Sequence, residues 1–130
     1  MKDIKLSLAL AVYNEEKNIK VCFDSIGSLA DEIVVVDGSS TDKTREIARE
    51  YGAKVIKTTN KPIFHINKQM AIDKCQGDWI LQLDADEIVS KELKKEILQV
   101  VKHQTSSFKH LAYRIPRKNF LLGRWLSKGG

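Results

Sequence analysis

Runs of apolar residues alternate with segments of helical spacing along most of this chain. Leu6–Val12 is almost continuously apolar, and apolar residues then recur at helical intervals across residues 19–29. The same succession starts again at residue 32, and residues 79–83 form a later apolar run. Strands that lack polar alternation are typical of sheets buried on both faces. The pattern therefore predicts an α/β fold with a mostly parallel sheet and helices on both faces.

Turn-forming residues predict where these elements end. The segment Ser39-Ser40-Thr41-Asp42 offers N-cap side chains to a helix that runs to about Tyr51, and Gly52 ends that helix. The further predicted elements are a strand at 53–57, a loop at 58–64, a helix at 65–75, a helix capped by Ser90, a strand at 111–115 and a basic segment at 116–130 without assigned structure. We divide the chain into a domain at 1–110 and a separate region at 111–130.

Polar residues gather where three of the predicted strands end. They are Tyr13, Asn14 and Glu15 after the first strand, Asp37 after the second, and Asp84 and Asp86 after the fourth. Because ligands of parallel sheets bind beyond the carboxyl ends of the strands, we expect these side chains to share one crevice. Asp84 and Asp86 are two residues apart, so their carboxylates point the same way if strand geometry persists, as a single Mg or Mn site requires.

The other polar residues at the strand ends have two interpretations each. The Asp37 carboxylate accepts hydrogen bonds, which suits the N–H groups of a nucleobase, but it equally suits a turn that caps the next helix. Tyr13, Asn14 and Glu15 either contact a base or ribose, or simply start a helix.

Composition and charge narrow the class of protein. The 130 residues, 42% hydrophobic and 30% charged, fit one globular domain. The net charge is +5, yet seven bases and no acid follow Glu96, and such a basic surface favours phosphates of a nucleotide, a nucleic acid or a lipid. Cys22 and Cys75 lie far apart, which predicts reduced, partly buried thiols. Without a membrane-length apolar stretch or a secretory signal pattern, we expect a cytoplasmic protein.

Three segments of the chain resemble glycosyltransferase family 2, whose nucleotide-binding domain has the GT-A fold. They are LALAVYNEEKNI at 8–19, DEIVVVDGSSTDKT at 31–44 and GDWILQLDADE at 77–87, and they follow the family's order and spacing. The resemblance implies an enzyme that transfers a sugar, with inversion, from a nucleotide-diphosphate sugar to a cell-envelope glycan or lipid acceptor. UDP is the expected nucleotide.

The resemblance also implies roles for individual residues. Asp37 contacts the base, Asp84 lies against the ribose and the metal, and Asp86 of the DxD motif coordinates a divalent cation, Mg or Mn, that bridges the diphosphate. Tyr13 and Glu15 line the nucleoside pocket. The implied nucleotide-binding set is Ala11, Tyr13, Glu15, Asp37, Lys68, Asp84 and Ala85, and the implied metal ligands are Asp86 and Asp84.

A narrower resemblance concerns a bacterial subgroup that includes lipopolysaccharide-core β-glucosyltransferases. It rests on Trp79, the DADE sequence and RKNFLLGRWLSKGG at 117–130. In that subgroup a basic residue and an Asn precede an Ala; Lys68 and Ala71 fit, whereas Gln69 replaces the Asn. Residues 1–110 would then be the nucleotide-sugar-binding domain, and 111–130 the start of an incomplete acceptor-facing or membrane-facing region. Contact with the inner face of an anionic membrane is the expected partner interaction of that region.

The identity of the catalytic base is unknown from the sequence. The family takes this base from an Asp or Glu well downstream of the DxD motif, and no carboxylate follows Glu96. We therefore expect these 130 residues alone to bind nucleotide and metal but to transfer sugar poorly.

Other functions remain open at this point. A haloacid-dehalogenase-like phosphotransferase uses a similar acid pair, but after its first strand. A nucleotidyltransferase shares the sheet architecture, but usually has a Gly-rich basic loop where this chain has Tyr13-Asn14-Glu15-Glu16. A non-catalytic nucleotide-binding fragment or a nucleic-acid module with a basic tail is the alternative outside enzymes, although no nucleic-acid motif is present. No GxGxxG or P-loop motif occurs.

Overall fold

The computed structural model describes residues 4–59, 65–103, 112–115 and 120–123. Along the chain the elements are β1 Leu6–Val12, α1 Ile19–Ile26, β2 Glu32–Asp37, α2 Thr44–Glu50, β3 Lys54–Lys57, α3 His65–Asp73, β4 Trp79–Gln82, α4 Lys91–His103, β5 Ala112–Ile115 and β6 Phe120–Gly123. The predicted alternation of strands and helices is confirmed. Within these ranges, no helix has both the length and the apolar character needed to cross a bilayer.

Six strands form one sheet in the order β3-β2-β1-β4-β6-β5. The pairs β1–β2, β1–β4 and β2–β3 are parallel, whereas β6 pairs antiparallel with both β4 and β5. The mostly parallel sheet is confirmed, but the basic segment 116–130 also contains the unpredicted strand β6. This strand lies beside β4, so residues on both sides of the predicted boundary at 110 share a sheet, and the division into two regions stays a prediction.

Apolar side chains cover both faces of the sheet. One face carries Leu8, Leu10 and Val35, packed with buried residues of α1, α2 and α4. The other face carries Ala9, Val34 and Val36, packed with α3. Helix α1 buries Ile19, Cys22, Phe23 and Ile26, as its 3.6-residue spacing predicts. Helices therefore lie on both faces of the sheet, as the continuous apolar strands predicted.

The helix ends follow the predicted turn chemistry with one shift. Helix α4 is capped as predicted, because the backbone N–H of Leu93 donates to Oγ of Ser90 (3.0 Å). Gly52 has φ +82°, a left-handed conformation that ends α2. The N-cap position of α2 is Lys43, which makes no side-chain capping bond. From the predicted capping segment 39–42, Oδ1 of Asp42 accepts the backbone N–H of Thr44 (2.9 Å), so the capping side chain comes from the residue before the N-cap position.

The two thiols match the sequence prediction. Cys22 is buried, Cys75 is half-buried, and neither is in a disulfide.

Candidate functional site

The carboxyl ends of β2, β1 and β4 lie next to one another at one edge of the sheet. Val12 is in register with Asp37, and Ala9 with Gln82. The N–H of Leu83 donates to the Ala9 carbonyl (3.1 Å), which continues the β1–β4 pairing beyond β4. Since neighbouring strands are spaced by ~4.8 Å, β2 and β4 run about 10 Å apart with β1 between them, and β4 ends about three residues earlier than β2 in the register of β1. The predicted convergence of three strand ends is thus present.

The loop after β1, residues 13–18, is bonded to the loop after β2, residues 38–43. Both loops contain a residue with left-handed backbone, Asn14 at φ 52° and Ser39 at φ 69°. The bonds between the loops and the start of α2 run from Asn14 N–H to Ser40 Oγ (2.9 Å), Glu15 N–H to Thr44 Oγ1 (2.8 Å), Glu16 N–H to Asp42 Oδ2 (3.2 Å), Thr41 N–H to Asn14 Oδ1 (2.8 Å) and Lys43 N–H to Glu16 Oε1 (2.9 Å). The two loops therefore form one fixed wall, in which each loop satisfies backbone donors of the other.

Asp37 lies beneath this wall and is 0% exposed. Its Oδ1 accepts the Ser40 hydroxyl (2.6 Å), and its Oδ2 accepts both the Ser40 N–H (2.9 Å) and the Arg45 guanidinium (2.8 Å). The carboxylate thus orders the turn after β2 and connects it to α2, which is the turn-forming role that the sequence left open. A base contact by Asp37 stays a prediction.

Ser40, Thr44 and Arg45 were not selected from the sequence, although all three organise the site. Thr44 accepts from a residue 29 positions away, and Arg45 pairs with Asp37 eight positions before it. The only local signal is the density of Ser, Thr and Asp between residues 39 and 44, which indicates a turn but no particular partner.

The acidic residues after β4 form a turn rather than a continued strand. Strand β4 ends at Gln82; the N–H of Glu87 then donates to the Asp84 carbonyl (3.0 Å), and the Asp84 N–H donates to the Glu87 carboxylate (2.9 Å). The condition that strand geometry persists through Asp84 and Asp86 is therefore not met, because the chain turns there. We call this turn, residues 84–87, the acidic turn.

The surroundings of the buried Cys22 thiol show that the acidic turn and the loop after β1 lie in the same region. Its Sγ lies 3.9 Å from the Asp84 carbonyl oxygen. Burial, with smaller effects from nearby carboxylates, raises the pKa of Cys22 to about 12; those carboxylates are Glu87, Asp86, Asp84 and Glu15. Because such effects weaken with distance, the four acids lie near the thiol. Glu15 and the acidic turn therefore place negative charge in the same region, beside α1 and the end of β4.

Lys68 brings a positive charge to this region from α3, on the other face of the sheet. Its Nζ lies 3.0 Å from Oδ1 of Asp84, and the two side chains are 28% and 44% exposed. Gln69, which replaces the Asn of the subgroup, donates instead to Asp73 (2.9 Å) along the same helix.

The residues predicted to bind the nucleotide or the metal divide by accessibility. Accessible side chains belong to Tyr13, Glu15, Lys68, Asp84 and Asp86, whereas Ala11, Asp37 and Ala85 are buried. The exposed members lie on or beside the acidic turn and the loop after β1. The buried members fix the backbone beneath them.

The oxygen donors of the acidic turn suit a divalent cation that binds together with a diphosphate. Among the residues that the structure describes, no three His, Cys, Asp or Glu side chains group closely enough to form a metal cage. Asp84 and Asp86 supply the carboxylate oxygens that Mg and Mn prefer, and such ions are commonly held by one or two carboxylates together with substrate phosphates. The donor set therefore suits a cation that binds with a diphosphate.

Comparison with known proteins identifies the family of the chain. The family model described as "Glycosyl transferase family 2" matches residues 7–125. A Rickettsia bellii (strain RML369-C) protein named "Uncharacterized glycosyltransferase" is 42% identical over 113 residues, which cover 85% of this chain and 37% of that protein. The "SPbeta prophage-derived glycosyltransferase SunS" of Bacillus subtilis (strain 168) is 34% identical over 99 residues, 75% of this chain and 24% of SunS. The chain thus spans little more than a third, or less, of the length of these relatives.

Solved structures share the fold. S. aureus TarS 1-349 superposes with a TM-score of 0.68 at 21% identity, over 93% of this chain and 47% of that chain. Glucosyl-3-phosphoglycerate synthase from Mycobacterium tuberculosis, in complex with Mn2+, UDP and glucosyl-3-phosphoglycerate, gives a TM-score of 0.55 at 28% identity. That match covers 63% of this chain and 33% of the synthase chain. The predicted α/β architecture is confirmed by both.

Proposed function

The chain belongs to glycosyl transferase family 2 and has its GT-A fold, and on this premise we propose that the crevice at the strand ends binds the nucleoside diphosphate of a sugar donor. UDP is the nucleotide that we propose. The observation that carries the proposal is the acidic turn after β4, where exposed Asp86 and the Lys68–Asp84 pair lie at the edge of the sheet.

The charges of the crevice explain why a cation belongs to this proposal. A diphosphate is repelled by Glu15, Asp84 and Asp86 unless their charge is balanced. We propose that Asp84 and Asp86 hold Mg or Mn. When bound, the cation neutralises the diphosphate and stabilises the charge that develops on the leaving nucleoside diphosphate. The related synthase was solved with Mn2+ and UDP, which supports this choice.

Lys68 has a separate part in the proposed site. Its ammonium balances Asp84 in the free protein, and it lies close enough to the acidic turn to attract an anionic ligand there. We propose that it contacts the diphosphate when the nucleotide is bound. A lysine suits this task because its compact charge and flexible stem follow a phosphate as partners change.

The wall formed by the loops after β1 and β2 supports the proposed nucleoside pocket. Tyr13 is 40% exposed on this wall, so its ring is available to pack on a base. Asp37 supports the wall from below through Ser40. A direct bond from Asp37 to the base, which the family resemblance implies, requires the carboxylate, which is 0% exposed, to become accessible.

The acceptor and the stereochemistry form a further part of the proposal. We propose that the sugar is transferred with inversion to a cell-envelope glycan or lipid, in line with the subgroup resemblance. In this proposal the described chain supplies the donor-binding part of the enzyme. The related synthase was solved in complex with phosphoglyceric acid, and also with Mn2+, UDP-glucose and glycerol 3-phosphate. The phosphotransferase alternative is not supported, because the acid pair follows β4 rather than the first strand.

Calorimetric titration tests donor binding directly. UDP, GDP and CDP are titrated into the chain with MnCl2 and, separately, with EDTA. We expect UDP to bind most tightly and its affinity to fall when the metal is removed. Equal affinity for all three nucleotides, or the same affinity in EDTA, would contradict the proposal. Turnover of an aryl phosphate would favour the phosphotransferase alternative instead.

A further inference from the structure

A lysine-lined groove opens between α4 and the start of β1. Its volume is about 680 Å³, within the range of cavities that bind small molecules. Apolar side chains of Leu6, Leu29, Leu98 and Val101 line it. Leu6 is buried, Leu29 and Val101 are half-buried, and Leu98 is 45% exposed. The groove therefore has an apolar lining that reaches the surface.

The groove is separate from the donor crevice. Leu6 is the first residue of β1, whereas the acidic turn lies beyond the carboxyl ends of the strands. A strand of seven residues at ~3.3 Å per residue separates the two edges by about 20 Å. The groove consequently takes no part in the donor site and does not rest on the proposed function.

Positive charge surrounds this apolar lining. Among the residues that the structure describes, those that line the groove include five lysines, Lys5, Lys91, Lys94, Lys95 and Lys102, and one acid, Asp31. The Oδ2 of Asp31 accepts the N–H groups of Lys5 and Leu6 (3.0 and 3.1 Å), so this oxygen already serves the backbone. A groove with five lysines and one aspartate attracts anions.

The combination of charge and apolar lining identifies the kind of partner. We propose that this groove docks the chain on an anionic phospholipid bilayer, with headgroup phosphates at the lysines and the first methylenes of the lipid against the apolar lining. On α4, exposed Leu98 lies within one turn of Lys94, Lys95 and Lys102, and lysines around an exposed apolar residue are typical of helices that lie in a membrane interface. Lysine stems also lie along apolar surface while their ammonium groups reach phosphates. An acidic peptide would match the charge but leave the apolar lining unused.

Vesicle co-sedimentation tests the proposal with charge-matched variants of the whole chain. The vesicles contain phosphatidylcholine alone or phosphatidylcholine mixed with phosphatidylglycerol. We expect binding only to the mixed vesicles, and weaker binding in high salt. Lys91→Glu with Lys95→Glu should weaken it by roughly tenfold or more, because two attractive charges become repulsive. Both positions are exposed in the first turns of α4, where acidic side chains favour the helix, so the variant should fold.

The control variant carries the same change in net charge at another surface. Lys57→Glu with Lys74→Glu replaces two exposed lysines outside the groove and should keep vesicle binding. Leu98→Gln tests the apolar lining and should weaken vesicle binding by severalfold. Its control is Val21→Gln, at a residue of α1 that is 49% exposed, which should keep vesicle binding. Calorimetric UDP binding should be the same for every variant.

Three results would overturn the proposal. The first is no binding of the parent chain to mixed vesicles at low salt. The second is equal loss in the two lysine variants, which would assign binding to the net charge rather than to the groove. The third is a combination of two observations: Leu98→Gln binds vesicles as well as the parent chain does, and the parent chain binds polyglutamate but the Lys91→Glu, Lys95→Glu variant does not. That combination would identify the groove as a site for an acidic peptide.

Discussion

The ammonium of Lys68 lies 3.0 Å from Oδ1 of Asp84. The pair joins α3, on one face of the sheet, to the acidic turn at the sheet edge. Both side chains are partly exposed, at 28% and 44%, so the pair contributes little to folding. The pair matters for ligand binding instead, because it places a positive charge beside the carboxylates where we propose that a diphosphate binds.

Replacing Lys68 should therefore affect ligand binding more than stability. For Lys68→Met we expect the free energy of unfolding to change by less than ~1 kcal/mol, because the pair is screened by solvent. The affinity for UDP in the presence of Mn should fall by roughly tenfold, about 1.4 kcal/mol, because an attractive charge is lost. Urea denaturation and calorimetric titration measure the two quantities.

The matched control for this change is Lys74→Met. Lys74 is exposed just beyond the end of α3, so this variant loses the same charge without disturbing the acidic turn. If both variants lose the same affinity, the effect comes from net charge and Lys68 has no specific contact with the nucleotide.

Asp86 should carry the metal dependence of nucleotide binding. Asp86→Asn keeps the shape of an exposed side chain, so we expect the free energy of unfolding to stay within ~0.5 kcal/mol of the parent. The difference in UDP affinity between Mn and EDTA should disappear, because a neutral amide oxygen is a much weaker ligand for a hard cation. Titrations of the variant with and without Mn measure this difference.

Glu96→Gln is the control for Asp86, since it removes one exposed carboxylate from α4. It should keep the full difference between Mn and EDTA. An Asp86→Asn variant with the same metal dependence as the parent would show that the metal ligand lies elsewhere.

Arg45 should be important for folding, because it is the ionic partner of fully buried Asp37. The guanidinium lies 2.8 Å from Oδ2 of Asp37, and the exposed fractions of the two side chains are 24% and 0%. Arg45→Met leaves a buried carboxylate without its counter-charge, and we expect it to lower the free energy of unfolding by about 3 kcal/mol. Urea denaturation measures the loss.

Arg49→Met, at an exposed position of the same helix, is the control and should change the free energy of unfolding by less than ~0.5 kcal/mol. Equal effects of the two variants would contradict this role of Asp37.

The sequence predicted the elements that local pattern determines. Continuous apolar runs identified β1, β2 and β4, and helical spacing identified α1 and α4. Each of these patterns depends only on which residues of that segment are buried. Strand β6 was missed for a physical reason. Its four residues, Phe120–Gly123, show no alternation, and they are a strand because they pair with residues about forty positions earlier in β4.

The candidate site was predicted in outline but not in its contacts. Parallel strands place their carboxyl ends together, so the positions of Glu15, Asp37 and the acidic turn followed from topology. The burial of Asp37 did not, because it depends on Arg45 and Ser40 folding back over the strand end. The turn at 84–87 was also missed, because a bond from the Asp84 N–H to the Glu87 carboxylate depends on side-chain reach rather than on strand periodicity.

The thiol of Cys22 should make the fold less stable in alkaline solution. Burial and nearby carboxylates raise its pKa from 9.0 to about 12 in the folded chain, so the folded protein keeps a proton that the unfolded chain releases above pH 9. A raised pKa of this kind contributes stability that is fully present below pH 9 and is lost as pH rises towards 12. At a pH about 1.5 units above the unfolded pKa, the loss should be on the order of 2 kcal/mol. Urea denaturation under reducing conditions, from about pH 8 upwards, measures it.

Comparison with Cys22→Ala isolates this thiol from every other group that titrates at high pH. The variant is less stable at neutral pH, because a buried side chain next to Phe23 and the acidic turn is shortened. Its stability should nevertheless fall less steeply above pH 9, because Tyr51 and Lys20 titrate in both proteins and only the Cys22 contribution is missing. The two curves should therefore converge as pH rises. Parallel curves would mean that Cys22 ionises at the same pH in the folded and unfolded chains, so that burial of the thiol does not raise its pKa.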